Sequence, residues 1–421
     1  MSEFVHGSAP AAARAVPRPA AERATDGPMN GLRILDLGTM VAGPAACTFL
    51  ADFGADIIKV EQPDGGDTLR GLGPFKDGES LWFQVEGRNK RSITLDLRQP
   101  EGQALLKRLA AQADALVENF RPGTMEKWNL GFDELAKANP RLVMLSVSGF
   151  GQTGPYSKRA GYDRMALAYS GIMNITGYGD RPPVRVGVSL ADYSTATFGA
   201  FALMMALYKR DVDGGPGQHI DLAMYEALFR FTDSMACAYD QLGRVRSRTG
   251  NVHQAAAPGN NFPTNDGRFI VLTISGDTVF RKLCEAMGQP QMADEPRYAS
   301  HTLRFEHIEE LNAAVAAWIA ATDVTVLADR LDTHGVPFSV IMSVEDIFDD
   351  PHYRERESLV TLEHPRLGPL RMQGVVPKLS ATPHLPPRPA PDLGADNEAV
   401  YLGLLGMERA EYDALRARKV I

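Results

Sequence analysis

From Leu32 onward the chain repeats one pattern, a short β-rich apolar run followed by a helical stretch, and that repetition limits the folds open to it. The first cycle reads "RILDL", then "AACTFLADF", then "DIIKVE", with glycines between the pieces. A second has "SITLDL", a helix opened by Pro100 and Glu101, and "ALVEN"; a third runs through "FDELAKA" into "RLVMLSVS". Strands alternating with helices predict an α/β domain built on a mainly parallel sheet. Ligands of such sheets sit beyond the carboxyl ends of the strands, so the loops there are the places to search for function.

At 421 residues the chain is long for a single domain. Two helical stretches, "FGAFALMMALY" and "LAMYEALFRFTDSMA", close the first region; the former is apolar nearly all round, which predicts a buried helix. The polar, Gly/Pro/Asn-rich "RVRSRTGNVHQAAAPGNNFPTNDG" then marks a change of domain. The expected organisation is a disordered tail over 1–28, a large domain over 29–225, a linker with a small domain over 226–345, and a C-terminal return over 346–421.

A net charge of -8 gives no basic surplus for a nucleic-acid partner. Cys47, Cys237 and Cys284 are far apart and never in C-x-x-C spacing, which argues against a disulfide framework or a zinc site and fits a cytoplasmic location. No run of eighteen or more apolar residues is present, so no membrane span is expected. Histidines form no H-E-x-x-H, and His307 among Glu306, Glu309 and Glu310 reads as a solvated helix face, so no metal is expected. Neither G-x-S-x-G nor any Gly-Lys dipeptide occurs, which removes serine-hydrolase and P-loop chemistry.

Two glycine patterns imitate nucleotide cradles. Gly149-Phe-Gly-Gln-Thr-Gly154 satisfies G-x-G-x-x-G after a strand, but helical spacing does not resume until about Asp163, so no helix N-terminus faces the glycines. The turn from Gly38 to Gly43 has the wrong spacing, although Glu61 stands where a dinucleotide-binding domain keeps its ribose acid; the alternative for Glu61 is a solvated strand-end carboxylate.

Asp192 is the carboxylate that chemistry singles out. It lies between an expected strand and the apolar helix, where the ordinary role is a cap, although Ser194 and Thr195 could cap as well. An aspartate at a buried helix start is expected to stay ionised, because the helix end offsets desolvation, and would then be a usable nucleophile.

The segments "GLRILDLGTMVAGPAACTFLADFGADIIKVEQPDGGDTLR", "NKRSITLDLRQPEG", "ALVENFRPGTMEKWNLGFDEL" and "LSVSGFGQTGPYSKRAGYDRMALAYSGIM" resemble the class III CoA-transferases, the formyl-CoA and carnitine CoA-transferase family. The resemblance implies a Rossmann-like large domain with a smaller α+β domain, each chain a ring interlocked with its partner in a homodimer. It implies a CoA thioester as substrate, a small carboxylic acid as second partner, and no permanently bound cofactor. Asp192 matches the family's catalytic aspartate. Val41, Ala42, Leu95, Asp96, Asn119 and Phe120 match positions lining the CoA site, Lys127 stands where an arginine is frequent, and Tyr162 and Asp163 face the acyl group. Gln62 and Ala160 stand where formyl-CoA transferase has basic residues, and "AAAPGNNFPTNDG" has no clear counterpart of its glycine-rich flap, which points away from oxalate.

The expected reaction is CoA transfer from an acyl-CoA, of succinyl type, to a short dicarboxylate, with Arg159, Arg164, Arg181 and Arg185 as candidates for the distal carboxylate. An α-methylacyl-CoA racemase is the first rival; racemases resemble this chain but carry histidine where Tyr162 is, and tyrosine, with an ordinary pKa of about 10, is a poor base at neutral pH. A CoA-binding protein without chemistry is the second.

Overall fold

The structure, a computed structural model, describes residues 27–253 and 255–421. The tail expected at 1–28 therefore lies, up to residue 26, outside the described residues, while Gly27 is buried and its carbonyl accepts the N–H of Asn30 at 2.9 Å. Two compact units are present. The first takes the described residues up to Ile172 together with Arg185–Gln241 and Arg356–Ile421, and the second takes Met173–Val184 and Leu242–Glu355.

The first unit is organised by six strands: β1 Arg33–Asp36, β2 Asp56–Glu61, β3 Arg91–Thr94, β4 Ala115–Glu118, β5 Val143–Ser148 and β6 His219–Ala223. They form one sheet in the order β3-β2-β1-β4-β5-β6, and every pairing is parallel. This is the doubly wound order, in which the chain reverses direction across the sheet between β1 and β4 and leaves a crevice at their carboxyl ends. β1, β4 and β5 are buried along their whole length, as strands covered on both faces must be.

Helices of this unit include α1 Ala42–Ala51, α2 Leu81–Glu86, α3 Pro100–Ala110, α4 Phe132–Ala138, α5 Asp163–Tyr169, α6 Leu190–Asp213 and α7 Met224–Phe229. In α6, Ala191, Thr195, Gly199, Leu203 and Leu207 face inward, and a Cβ on Gly199 would stand 3.0 Å from Leu145 and 3.4 Å from Ala46. That small residue lets the helix lie close against both α1 and the sheet. The other side of α6 carries Phe201, Met205, Tyr208 and Val212, all exposed, so the helix is not buried all round as its composition suggested. Its length and hydropathy would suffice to cross a bilayer, yet its inner face is taken up by α1, α5, α7 and the sheet.

The C-terminal segment seals the β3 edge. Asp396 and Asn397 accept the N–H groups of Ser92 and Thr94 at 2.8 and 2.9 Å, and the Tyr401 hydroxyl donates to the Thr94 carbonyl at 2.7 Å. Val420 and Ile421 end in the same core as Leu95 and Leu106.

The second unit is a small α+β fold. Strands β7 Gly259–Pro263, β8 Phe269–Thr273 and β9 Phe338–Val340 pair antiparallel in the order β9-β8-β7. Its core joins Ile270 and Leu272 to residues of α8 Asp277–Ala286, α9 Ile308–Ile319 and α10 Val324–His334. His307 precedes α9 on an exposed face beside Glu310.

Candidate active site

The loop after β1 is built on buried charge. Lys59 on β2 contacts Asp67 at 2.7 Å and donates to the Gly38 carbonyl at 2.9 Å, while Lys90 donates to Asp36 at 2.8 Å. Asp67 in turn accepts the N–H of Met40, a residue held at φ 64. Across the switch point, the Asn119 side-chain amide pairs with both backbone groups of Thr39, each at 2.8 Å, and the Glu118 carboxylate accepts the N–H of Phe120. The turn bearing Val41 and Ala42 is thereby fixed against the loop after β4. Glu61 is neither a ribose acid nor solvated: it is buried, forked to Arg70 at 2.7 and 2.8 Å, and accepts from Ser92 at 2.6 Å.

Between these loops opens a cavity of about 490 Å³, and Val41, Ala42, Asn119, Phe120, Tyr162, Asp163 and Asp192 all line it. Glycines 149 and 161 explain how the loop after β5 reaches its rim. A Cβ on either would stand 2.6 Å from the other's Cα, so the two backbones cross where only glycine fits. No helix follows the glycines until α5 at Asp163, so this loop has no phosphate-binding helix start.

Leu95, Asp96 and Lys127 do not line the cavity. Leu95 is packed in the core, and Asp96 is forked by Arg98, whose guanidinium holds that carboxyl down at about 2. Lys127 ends the short helix Thr124–Lys127 and is exposed. Arg159, Arg164 and Arg185 line the cavity, as does Arg121, which the sequence reading passed over. Arg181 does not; it sits beside Asp180 in the second unit.

Asp192 is the third residue of α6, and its side chain is not the cap. The cap comes from Asp163, whose Oδ1 accepts the N–H of Ala191 at 2.7 Å and, more weakly, that of Asp192 at 3.4 Å. The expectation that the helix end offsets the desolvation of Asp192 is not met. Burial first, then the charges of Asp163 and Glu86, raise its pKa to about 7. The helix end does not offset these effects, because its donors at residues 191 and 192 already face Asp163.

Glu86, Tyr193 and Trp82 were not legible as site residues. The Tyr193 hydroxyl donates to Glu86 at 2.8 Å and lies 3.2 Å from the donating indole nitrogen of Trp82, which lines the cavity. They come from α2 and α6, 107 and 111 residues apart in pairing, and no motif spacing announces such a contact.

Known proteins similar to this chain identify its family. The chain is 45% identical over 395 residues to a succinyl-CoA–D-citramalate CoA-transferase of Chloroflexus aurantiacus, covering 94% of this chain and 98% of that one. It is 41% identical over 398 residues to the β subunit of a succinyl-CoA–L-malate CoA-transferase of the same organism, covering 94% and 98%. Among solved structures, a CaiB/BaiF family protein from Brucella suis superposes with a TM-score of 0.81 at 33% identity, covering 90% of this chain and all of that one. Residues 29–397 match CoA-transferase family III. The family resemblance carried by the four sequence segments is therefore confirmed over nearly the whole chain, which belongs to CoA-transferase family III and is a CoA-transferase.

Proposed function

We propose that the enzyme moves CoA from succinyl-CoA to a short dicarboxylic acid, with Asp192 as the nucleophile. The observation that carries this reading is the charge of the cavity. Arg121, Arg159, Arg164 and Arg185 line it against the acids Asp163 and Asp192, and among the described residues none of the four forms an ion pair with a carboxylate. Cations without an internal counter-ion around a nucleophilic carboxylate suit substrates that bring their own charge, such as CoA phosphates and the distal carboxylate of a succinyl group. Relatives named for citramalate and malate, both dicarboxylic acids, support the same class.

In the proposed cycle an Asp192 oxygen attacks the thioester carbonyl, the C–S bond breaks, and CoA leaves as thiolate with the bonding pair. The thiolate attacks the Asp192 carbonyl of the resulting anhydride and expels the donor acid as carboxylate. The acceptor carboxylate opens this aspartyl thioester, forming a new anhydride, and the thiolate returns to the acceptor's carbonyl, restoring Asp192. No proton is gained or lost, and the thioester's energy is conserved without ATP. The raised proton affinity of Asp192 serves this exchange, since a more basic carboxylate competes better with thiolate for the acyl carbon.

Val41, Ala42, Asn119 and Phe120 would hold the arm of CoA, with Tyr162 and Asp163 at the acyl end. Exposed Lys127 would meet its distal part, whereas Leu95 is taken up by the core and Asp96 by Arg98, so those two would act only by shaping the turn after β3. A cytoplasmic homodimer with interlocked chains completes the reading, and the exposed apolar side of α6 supports a partner there.

Isotope exchange tests the proposal. Labelled succinate should enter succinyl-CoA, and malate or citramalate should be acylated well ahead of butyrate. Equal rates with monocarboxylates would remove the dicarboxylate assignment. Loss of configuration at an α-carbon without exchange would mark a racemase, and no reaction at all a mere binder.

A further inference from the structure

A second cavity, of about 600 Å³, adjoins the first. The two share Trp82, Arg185 and Ser189 as lining residues, so an indole and one short segment form the wall between them. That wall is held in place, because the Trp82 indole nitrogen reaches the Tyr193 hydroxyl and that hydroxyl is anchored to buried Glu86. The charges facing the second cavity are Glu86, Arg88 and Arg185. Glu86 takes the hydrogen bond from Tyr193, and Arg88 is neutralised by a fork to Asp52 at 2.6 and 2.9 Å. Arg185 makes one bond, to the neighbouring Val186 carbonyl, and no ion pair among the described residues. Phe49, Val85 and Val188 supply apolar wall beside it.

Size makes the second space necessary. A pocket of roughly 300–1,000 Å³ is filled by one drug-sized ligand, so the first cavity, at about 490 Å³, is occupied once it holds the CoA arm and its acyl group. Transfer nevertheless requires one acid to leave and another to approach while CoA remains bound. We infer that the second cavity is a subsite for the free carboxylic acid, with Arg185 as its carboxylate ligand and Trp82 as the partition between waiting acid and reacting acyl group. This rests on the transferase reading above, and it assigns the acid a place distinct from the acyl position at Asp192. One carboxylate lies against the Arg185 guanidinium, the short carbon chain lies on Phe49, Val85 and Val188, and the other end faces the mouth.

Equilibrium binding, which needs no turnover, separates this inference from the choice of donor. The Asp192→Asn protein is saturated with succinyl-CoA, so the first cavity is full and inert, and labelled succinate is added. One equivalent should bind. Adding Gly187→Leu should weaken that binding roughly tenfold or more, because a Cβ at Gly187 meets nothing within 4 Å and the side chain grows into the second cavity. Gly187→Ala should bind nearly as before, and Arg185→Gln should lose most of the affinity with the loss of a charged hydrogen bond. In the Asp192-containing enzyme, Gly187→Leu should raise the acceptor KM while trapping of the acyl-enzyme by hydroxylamine from succinyl-CoA alone continues. Competition between succinyl-CoA and succinate for a single site, or equal succinate binding by Gly187→Leu, overturns the inference. Failure of wild-type enzyme to be trapped from succinyl-CoA would instead strike the donor assignment and leave the binding result standing by itself.

Discussion

Asp163 carries the cap of α6 while Asp192 sits three residues into the helix with its side chain free of that duty. Two jobs that a single aspartate could have held are divided between two carboxylates facing one cavity. Asp192→Asn should therefore abolish transfer by several orders of magnitude without unfolding the chain, since the amide cannot form the anhydride and the cap is untouched. A variant active after deamidation is excluded would end the nucleophile assignment. Mass mapping of wild type treated with acyl-CoA and hydroxylamine should place the hydroxamate on the peptide bearing "VSLADYSTATF".

The proton affinity of Asp192 has a signed consequence for stability. Its carboxyl moves from an ordinary 3.8 to about 7 in the fold, so between those values the native state binds the proton and the unfolded chain does not. Stability contributed by this group is present below about pH 4 and is lost as pH rises toward 7. Activity should run the other way if Asp192 is the proposed nucleophile, which attacks in its ionised form: kcat/KM should climb tenfold per unit below about 7 and level off above it. Melting curves should show Asp192→Asn gaining on wild type as pH goes from 5 to 8, and a constant difference would refute the link.

Asp163 can be dissected by a pair of substitutions. Asp163→Asn keeps an acceptor for the Ala191 N–H but removes the charge, so the kinetic midpoint of Asp192 should fall with little change in Tm. Asp163→Ala removes both and should cost about 0.5–2 kcal/mol of stability besides. An unchanged midpoint in both would show that Asp163 acts only as a cap.

Breaking the charge cluster under the β1 loop should be severe. Lys59→Met leaves Asp67 buried without its cation, a loss of roughly 3–5 kcal/mol by the usual cost of orphaning a buried pair. Denaturant unfolding would measure it; a change below 1 kcal/mol, the scale of exposed pairs, would mean that water reaches Asp67.

Lys127→Ala should raise the KM for the CoA ester more than it lowers kcat, because a contact to a distal phosphate acts alike in ground and transition states. Its exposure makes the fold indifferent to the change, so an unaltered KM would remove Lys127 from the CoA path.

Much of the scaffold was readable because it repeats. The three strand and helix cycles identified β1 to β5, and the gap in helical spacing after Gly154 correctly placed the next helix at Asp163. The environment of each side chain was less readable. Glu61 looked exposed at a strand end, but Arg70 and Ser92 fold over it; α6 looked buried all round, but only one side found partners within the chain. The proton affinity of Asp192 is raised by burial, Asp163 and Glu86, and Glu86 lies in a short helix that the sequence pattern did not announce. Patterns along the chain report local geometry, whereas desolvation and charge coupling depend on what tertiary folding brings near.

The seal on β3 also sets an order of events during synthesis. Ser92 and Thr94 are made early, but their partners Asp396, Asn397 and Tyr401 leave the ribosome only after residues 242–355, which form most of the second unit, have been made. Throughout that interval the nascent large unit presents an unpaired strand edge, the kind of surface that recruits foreign strands. The second unit can finish first, and the first must wait with its crevice on an unsealed sheet. Slowed translation between these two stretches would thus lengthen the time at risk of aggregation without altering any residue of the mature enzyme.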